Sequence, residues 1–123
     1  MKIFIAEDDD LVRELLQEFL ADAGHKVSVA QNGEELVKLA LVERPDLIVT
    51  DMHMPQMSGN SMIAMIDMYP PLCGIPVIVV TGATKQELAD SGIPKEILII
   101  SKPIDFSRLS AEIGKVAKKL SGS

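Results

Sequence analysis

Polar side chains suited to handling phosphate and a metal ion directly follow short apolar runs of this chain. They comprise the carboxylates of Glu7, Asp8, Asp9, Asp10 and Asp51, the hydroxyl of Thr81 and the ammonium of Lys102. In an open parallel sheet, ligands bind beyond the carboxyl ends of the strands. If the apolar runs are parallel strands, these groups converge on one edge of the sheet.

The acidic run after the first apolar segment predicts a divalent-metal site. Carboxylates gathered in one cleft repel one another, so one of them must take up a proton or a cation must bind. Magnesium usually takes one or two carboxylates together with water and phosphate oxygens. We assign Glu7 and Asp8 to the ion and favour Asp8 as a direct ligand, whereas Asp9 either helps through a water or faces solvent. The simpler alternative is a solvated loop in which Asp10 caps the following helix.

Two roles are open to Asp51. It could be a third metal ligand and nothing more, or it could be a nucleophile, because aspartate carboxylates form acyl phosphates in phosphoryl transfer. The second role requires the charge of the transferring group to be neutralised from several sides. The ion, the Thr81 hydroxyl and the Lys102 ammonium could do so. Pro103 also permits a cis peptide bond that aims Lys102 inward, although each residue alone fits an ordinary strand-end role.

Short β-branched runs alternate along the chain with longer amphipathic ones. Strands are predicted over Lys2–Ala6, Lys26–Ala30, Leu47–Thr50, Val77–Val80 and Ile97–Ile100. Helices are predicted over about 11–23, 33–42, 58–68, 85–91 and 106–120, with caps at Asn32, Thr84 and Asp105. Repeated strand–helix–strand units predict an α/β fold in which helices cover both faces of a parallel sheet.

Two of the predicted helices have an apolar face expected to pack on the sheet. In the first helix this face comprises Leu11, Val12, Leu15, Leu16, Phe19 and Leu20. In the last helix it comprises Phe106, Leu109, Ile113, Val116 and Leu120. The helix after Thr84 is short, because Gly92 and Pro94 end it early.

Bulk properties exclude several classes of protein. A chain of 123 residues, 47% of them hydrophobic, predicts one globular domain over residues 1–120, with 121–123 as a flexible tail or linker stub. No apolar run approaches the length of a membrane helix, and no signal peptide is evident. Cys73 is the only cysteine, which favours a cytoplasmic location. The net charge of −6 argues against nucleic-acid binding by this domain.

These residues together resemble the response-regulator receiver domain of two-component signalling, the CheY-like family. The matching residues are Glu7-Asp8-Asp9, Asp51 within Thr-Asp-Met-His-Met-Pro-Gln-Met-Ser-Gly, Thr81, and Lys102-Pro103. The resemblance covers essentially the whole chain. It implies a flavodoxin-like doubly wound (βα)5 fold with five parallel strands in the order 2-1-3-4-5 and helices on both faces.

The resemblance also implies a function and a partner. Asp51 would accept a phosphoryl group from a histidine kinase or histidine phosphotransfer protein in a Mg²⁺-dependent reaction. Glu7, Asp8, Asp51 and the backbone carbonyl of His53 would bind Mg²⁺, Thr81 would hydrogen-bond the phosphoryl group and Lys102 would pair with it. The domain would then change conformation and signal to a downstream protein or output domain, with a phosphorylation-dependent homodimer left open. It would not be an enzyme acting on external substrates, although it would support its own phosphorylation and dephosphorylation.

One position departs from the family pattern. Many members have Tyr or Phe three residues before the lysine, where this chain has Ile99. The aromatic rotation that usually accompanies movement of the threonine is therefore not available in its usual form.

Three other functions remain as alternatives. A metal-dependent phosphohydrolase would typically carry Asp-x-Asp after its first strand, but His53 stands two residues after Asp51 and the length leaves no room for a cap domain. A flavin binder would need a phosphate-cradling loop where this chain places four acids. A degenerate receiver would bind partners without phosphorylation, and the intact Asp8, Asp51, Thr81 and Lys102 argue against it.

Overall fold

A single five-stranded parallel sheet organises the chain. The computed structural model describes residues 1–52, 61, 63–64, 68, 72, 74–94 and 97–122. The strands are β1 (Lys2–Ala6), β2 (Lys26–Ala30), β3 (Leu47–Thr50), β4 (Val77–Thr81) and β5 (Leu98–Ser101). They pair in the order β2-β1-β3-β4-β5, which confirms the predicted doubly wound α/β fold.

Four helices have described bounds: α1 (Asp10–Asp22), α2 (Gly33–Val42), α3 (Lys85–Asp90) and α4 (Phe106–Gly122). The helix predicted over 58–68 falls mostly outside the described residues. Within that range, residues 61, 63, 64 and 68 are described, and all four are helical. No helix within the described ranges is long and apolar enough to cross a membrane.

Both faces of the sheet are buried, as the strand sequences require. In β1, Phe4 and Ala6 pack with α2 on one face, whereas Ile3 and Ile5 pack with α1 and α4 on the other. Every residue of β3 is buried, which is why its apolar run is continuous rather than alternating. The hydrophobic cores on the two faces of the sheet therefore fix the positions of the carboxyl ends of its strands.

Helix α1 buries a narrower face than predicted. Leu16 and Leu20 are buried, but Leu11 and Leu15 are 66% and 45% exposed, so their assignment to the inner face was wrong. At about 100° per residue, the six apolar residues of α1 span roughly half of its circumference. Leu11 and Leu15 lie at the edge of that arc farthest from Leu20.

Helix α4 packs on the sheet through its middle turns. Leu109 and Ile113 are buried, and Phe106 and Val116 pack partly against the same core, as predicted. Leu120 is 47% exposed, in contrast to the prediction. Residues near the end of α4 and the starts of β4 and β5 line a groove of about 840 Å³.

The predicted helix caps are confirmed. The Asn32 side chain accepts a hydrogen bond from the backbone N–H of Glu35 at 2.8 Å. Thr84 and Glu87 form a reciprocal capping box at the start of α3. The Asp105 side chain accepts from the backbone N–H of Arg108 at 3.1 Å. The short α3 ends near Gly92, whose φ of 76° suits glycine.

Candidate functional site

Backbone hydrogen bonds extend the sheet one residue past its strands and thereby fix three of the predicted site residues. The N–H of Glu7 donates to the carbonyl of Ala30 at 3.1 Å, and the N–H of Asp51 donates to that of Ala6 at 3.1 Å. On the other side, the N–H of Lys102 donates to the carbonyl of Thr81 at 2.8 Å. Side chains from widely separated parts of the sequence therefore start from one rigid edge.

The Lys102 ammonium joins two buried carboxylates at this edge. Its Nζ lies 2.6 Å from Oε1 of Glu7 and 2.9 Å from Oδ2 of Asp51. Glu7 is only 2% exposed, and Asp51 is also buried. The Lys102–Pro103 peptide bond is cis. Since one ammonium faces two carboxylates, the buried cluster is short of positive charge when both acids are ionised.

Burial and neighbouring charge shift two pKa values in this cluster. Burial raises the pKa of Glu7 to about 7, and the Asp51 carboxylate adds to the rise while the hydrogen bond from Lys102 opposes it. Burial by itself would lower the pKa of Lys102, but its hydrogen bonds to Glu7 and Asp51 raise it above the ordinary value. The ammonium therefore stays charged at neutral pH, whereas Glu7 holds its proton to a higher pH than an exposed glutamate does.

The carboxylates of Glu7, Asp8 and Asp51 could hold a metal ion. Each offers one oxygen, and these oxygens all lie within 4.8 Å of one another. An all-oxygen, carboxylate-rich donor set fits a hard divalent cation such as Mg²⁺. A cation there would offset the negative charge of the cluster, which adds to the effect of burial in raising the pKa of Glu7. The predicted fourth ligand, the carbonyl of His53, lies outside the described residues.

The four consecutive acids have separate roles in the structure. Asp9, not Asp10, caps α1, because its Oδ1 accepts from the N–H groups of Leu11 and Val12 at 3.0 and 3.1 Å. Asp10 begins the helix and forms an ion pair with Arg13. Glu7 bonds Lys102. Asp8 is exposed and has no hydrogen-bond or ion-pair partner in the part of the chain that the structure describes. It is thus the carboxylate available to a ligand.

Arg13 is a residue at this edge that the sequence did not single out. Its Nη1 donates to the backbone carbonyl of Glu7 at 3.0 Å, in addition to its ion pair with Asp10. The sequence did contain a clue to this contact. Arg13 follows Asp10 by three positions at the start of a helix, and residues at that spacing are neighbours on a helix surface.

Thr81 ends β4 at the same edge and is buried. Its Oγ1 accepts a hydrogen bond from the N–H of Ala83 at 3.2 Å, so the hydroxyl is tied to the loop that leads into α3. Ile99, on the neighbouring β5, is partly buried and packs against the core together with Ala83 and Leu88. The hydroxyl of Thr81 and the packing of α3 are therefore linked through a short stretch of chain.

Comparison with known proteins places the chain among signalling domains. Residues 3–114 match the family model described as the response regulator receiver domain. The probable transcriptional regulator ycf29 of Pyropia yezoensis is 34% identical over 94% of this chain, which spans only 52% of that protein. The chain thus covers about half the length of that relative.

Solved structures give the same result. The N-terminal domain of an uncharacterized protein from Wolinella succinogenes superposes with a TM-score of 0.90 at 30% identity, covering 100% of this chain and 99% of that one. The chemotaxis response regulator CheY4 of Vibrio cholerae gives a TM-score of 0.83 at 26% identity, over 94% of this chain and 97% of that one. The fold described above is therefore that of a known group of domains.

Proposed function

This chain belongs to the response regulator receiver domain family, and we propose that Asp51 is its phosphoacceptor. The donor would be a phosphohistidine on a histidine kinase or a histidine phosphotransfer protein. An Asp51 carboxylate oxygen attacks phosphorus, the phosphorus–nitrogen bond breaks, and the electron pair returns to the imidazole, which takes up a proton. The observation that carries the proposal is the contact of Lys102 with both Glu7 and Asp51, beside the exposed Asp8.

Lys102 prepares this reaction through charge. Its ammonium, 2.9 Å from Oδ2 of Asp51, fixes the direction of the carboxylate. Once Asp51 becomes an acyl phosphate it loses its own charge, and the phosphoryl group brings roughly −1.5 to −2 charges to the same place. The ammonium then pairs with a phosphoryl oxygen without leaving the edge of the sheet.

Glu7, Asp8 and Asp51 would hold Mg²⁺ in this reaction. When bound, the ion would neutralise charge on the phosphoryl oxygens during transfer. Glu7 must lose its proton to serve as a ligand, and a pKa of about 7 allows this at neutral pH. Asp8 reaches the site from the solvent side, where an incoming phosphohistidine would approach.

Thr81 would transmit phosphorylation to the surface. Its hydroxyl accepts from the N–H of Ala83 at 3.2 Å and keeps an O–H to donate to a phosphoryl oxygen, so movement of the hydroxyl toward that oxygen would carry the loop with it. This loop leads into α3, a helix without a fully buried residue. Since Ile99 lacks an aromatic ring to rotate, we place the response in this loop and in α3, where a downstream protein or an output domain would detect it.

Intact mass spectrometry after incubation with acetyl phosphate and Mg²⁺ tests the proposal. The wild type should gain about one phosphoryl group, and chelation of Mg²⁺ should prevent the gain. Asp51→Asn should abolish it, since an amide is not a nucleophile, while Asp46→Asn makes the same change at a carboxylate that bonds the backbone of Lys2 instead. A gain that survives Asp51→Asn would refute the assignment. No gain from acetyl phosphate or from a phosphorylated histidine kinase would favour a degenerate receiver.

A further inference from the structure

We propose that Arg13 is a positioning residue that orients the Glu7–Asp8 peptide and thereby aims Asp8 at the metal ion. The inference rests on the proposed function, because it concerns the ion that phosphoryl transfer would require. It adds a residue of α1 that is not itself a ligand. The guanidinium would act on Asp8 through the backbone and would touch neither the ion nor the phosphoryl group.

The contacts of Arg13 converge on one short loop. Its side chain is only 14% exposed, and Nη1 lies 3.0 Å from the carbonyl oxygen of Glu7. That oxygen belongs to the peptide group that joins Glu7 to Asp8, so the bond fixes the plane from which Asp8 leaves the backbone. The other end of the guanidinium pairs with Asp10, which closes the loop around Asp8.

The rest of the loop is anchored on both sides of that peptide. The N–H of Glu7 bonds Ala30 at 3.1 Å, and the Asp9 carboxylate bonds the first turn of α1 at 3.0 Å. Between these anchors, the carbonyl of Glu7 would be free to turn if Arg13 were absent. The donors of a guanidinium form a rigid planar fork that fixes the direction of both bonds, whereas an ammonium is a compact charge on a flexible stem.

Charge and orientation predict opposite effects of removing Arg13 on metal binding. A positive charge near the site repels a divalent cation, so through charge alone its removal would tighten Mg²⁺ binding. Loss of orientation would weaken binding, because Asp8 would have to be ordered when the ion arrives. The sign of the change in affinity therefore separates the two roles.

The experiment is a Mg²⁺ titration followed by the amide NMR signals of Glu7, Asp8 and Asp9. We expect Arg13→Met, which keeps the length of the buried stem, to weaken Mg²⁺ binding by about threefold to tenfold, the usual net effect of one hydrogen bond. Arg13→Lys should lie between it and the wild type. Arg108→Met, the same change at an exposed position of α4, should bind Mg²⁺ as the wild type does.

A second readout separates orientation from general damage. In Arg13→Met, the rate of phosphorylation by acetyl phosphate should be reduced at low Mg²⁺ and should approach the wild-type rate at saturation. If Arg13→Met does not fold, its NMR spectrum will show this. The Mg²⁺ affinity of Arg13→Lys, which keeps the charge and most of the stem, then decides the question.

The outcomes distinguish this inference from the proposed function. Wild-type Mg²⁺ affinity or tighter binding in Arg13→Met would overturn the positioning role and leave the phosphoacceptor proposal standing. Wild-type affinity in Arg13→Lys would also overturn it, since the guanidinium fork would then not be needed to hold the Glu7–Asp8 peptide. Absence of any Mg²⁺-dependent shift in the wild type would instead overturn the metal assignment, and this role for Arg13 with it.

Discussion

Replacing Lys102 with methionine should destabilise the fold by an amount that grows with pH. The ammonium lies 2.6 Å from Glu7 and 2.9 Å from Asp51, and both carboxylates are buried. Methionine fills a similar volume but offers no charge and no donor. The two acids would then face each other without their shared cation, and Glu7 would bind its proton more tightly than before.

The size of the effect follows from the titration of Glu7. Its pKa is about 7 in the folded protein, above its ordinary value of 4.5, so the fold favours the protonated form and loses stability as pH rises. Lys102 now limits that loss by favouring ionised Glu7. Each unit by which the pKa rises further in the variant adds about 1.4 kcal/mol of destabilisation once the pH exceeds that raised pKa. With the lost hydrogen bonds, we expect a total on the order of 2 kcal/mol at about pH 8 and clearly less at about pH 5.5.

Urea unfolding of both proteins between about pH 5 and 9 measures the effect. Lys115→Met is the matched control, since Lys115 is exposed and pairs with Glu112 at 3.1 Å; its effect should be small and independent of pH. Added Mg²⁺ should restore more stability to Lys102→Met than to the wild type, because the ion meets no competing ammonium. A loss of stability that is equal across this pH range, or that Mg²⁺ does not reduce, would refute the reasoning.

Three further predictions concern binding and stability. Mg²⁺ affinity, measured by calorimetry, should fall as pH drops below about 7, by at most about tenfold per unit, because protonated Glu7 cannot be a ligand; an affinity that is constant between about pH 8 and 6 would contradict this. Asp9→Ala should cost about 1 kcal/mol of unfolding free energy, whereas Asp9→Asn should cost little, because asparagine also caps helices; equal losses would remove the capping role. Gly114→Ala, in an exposed turn of α4 where a Cβ meets nothing within 4 Å, should stabilise by about 0.5–1 kcal/mol. Gly24→Ala has equal space but a φ of 94°, so it should destabilise by about 1 kcal/mol; changes of the same sign at both positions would be inconsistent with this account.

The fold and the composition of the edge could be predicted because they follow from pattern and topology. Five β-branched runs separated by amphipathic segments lead to a parallel sheet, and such a sheet brings the ends of all its strands to one side. Glu7, Asp51 and Lys102 lie far apart in sequence, yet each follows a strand, which was enough to place them together. Their distances and the raised pKa of Glu7 depend on burial, which no single stretch of sequence encodes.

The details that were missed depend on shifts of one residue or on contacts across a loop. Any of the consecutive acids could have capped α1, and only the backbone direction after Glu7 selects Asp9 over Asp10. The contact between Arg13 and the carbonyl of Glu7 could not be predicted, because every residue has a backbone carbonyl and the sequence does not show which one a side chain will reach. Leu15 was assigned to the core because it lies within the apolar face of α1. A leucine at the edge of such a face is more exposed than one at its centre, but its residue type is the same.

Identification of the modified residue tests the central claim most directly. After phosphorylation by acetyl phosphate with Mg²⁺, borohydride reduces an acyl phosphate to an alcohol and leaves ordinary carboxylates unchanged. Peptide mass spectrometry should then find homoserine in place of Asp51, only in samples that received both acetyl phosphate and Mg²⁺. Homoserine at Asp8 or another acid, with Asp51 unmodified, would contradict the assignment of Asp51 as the phosphoacceptor.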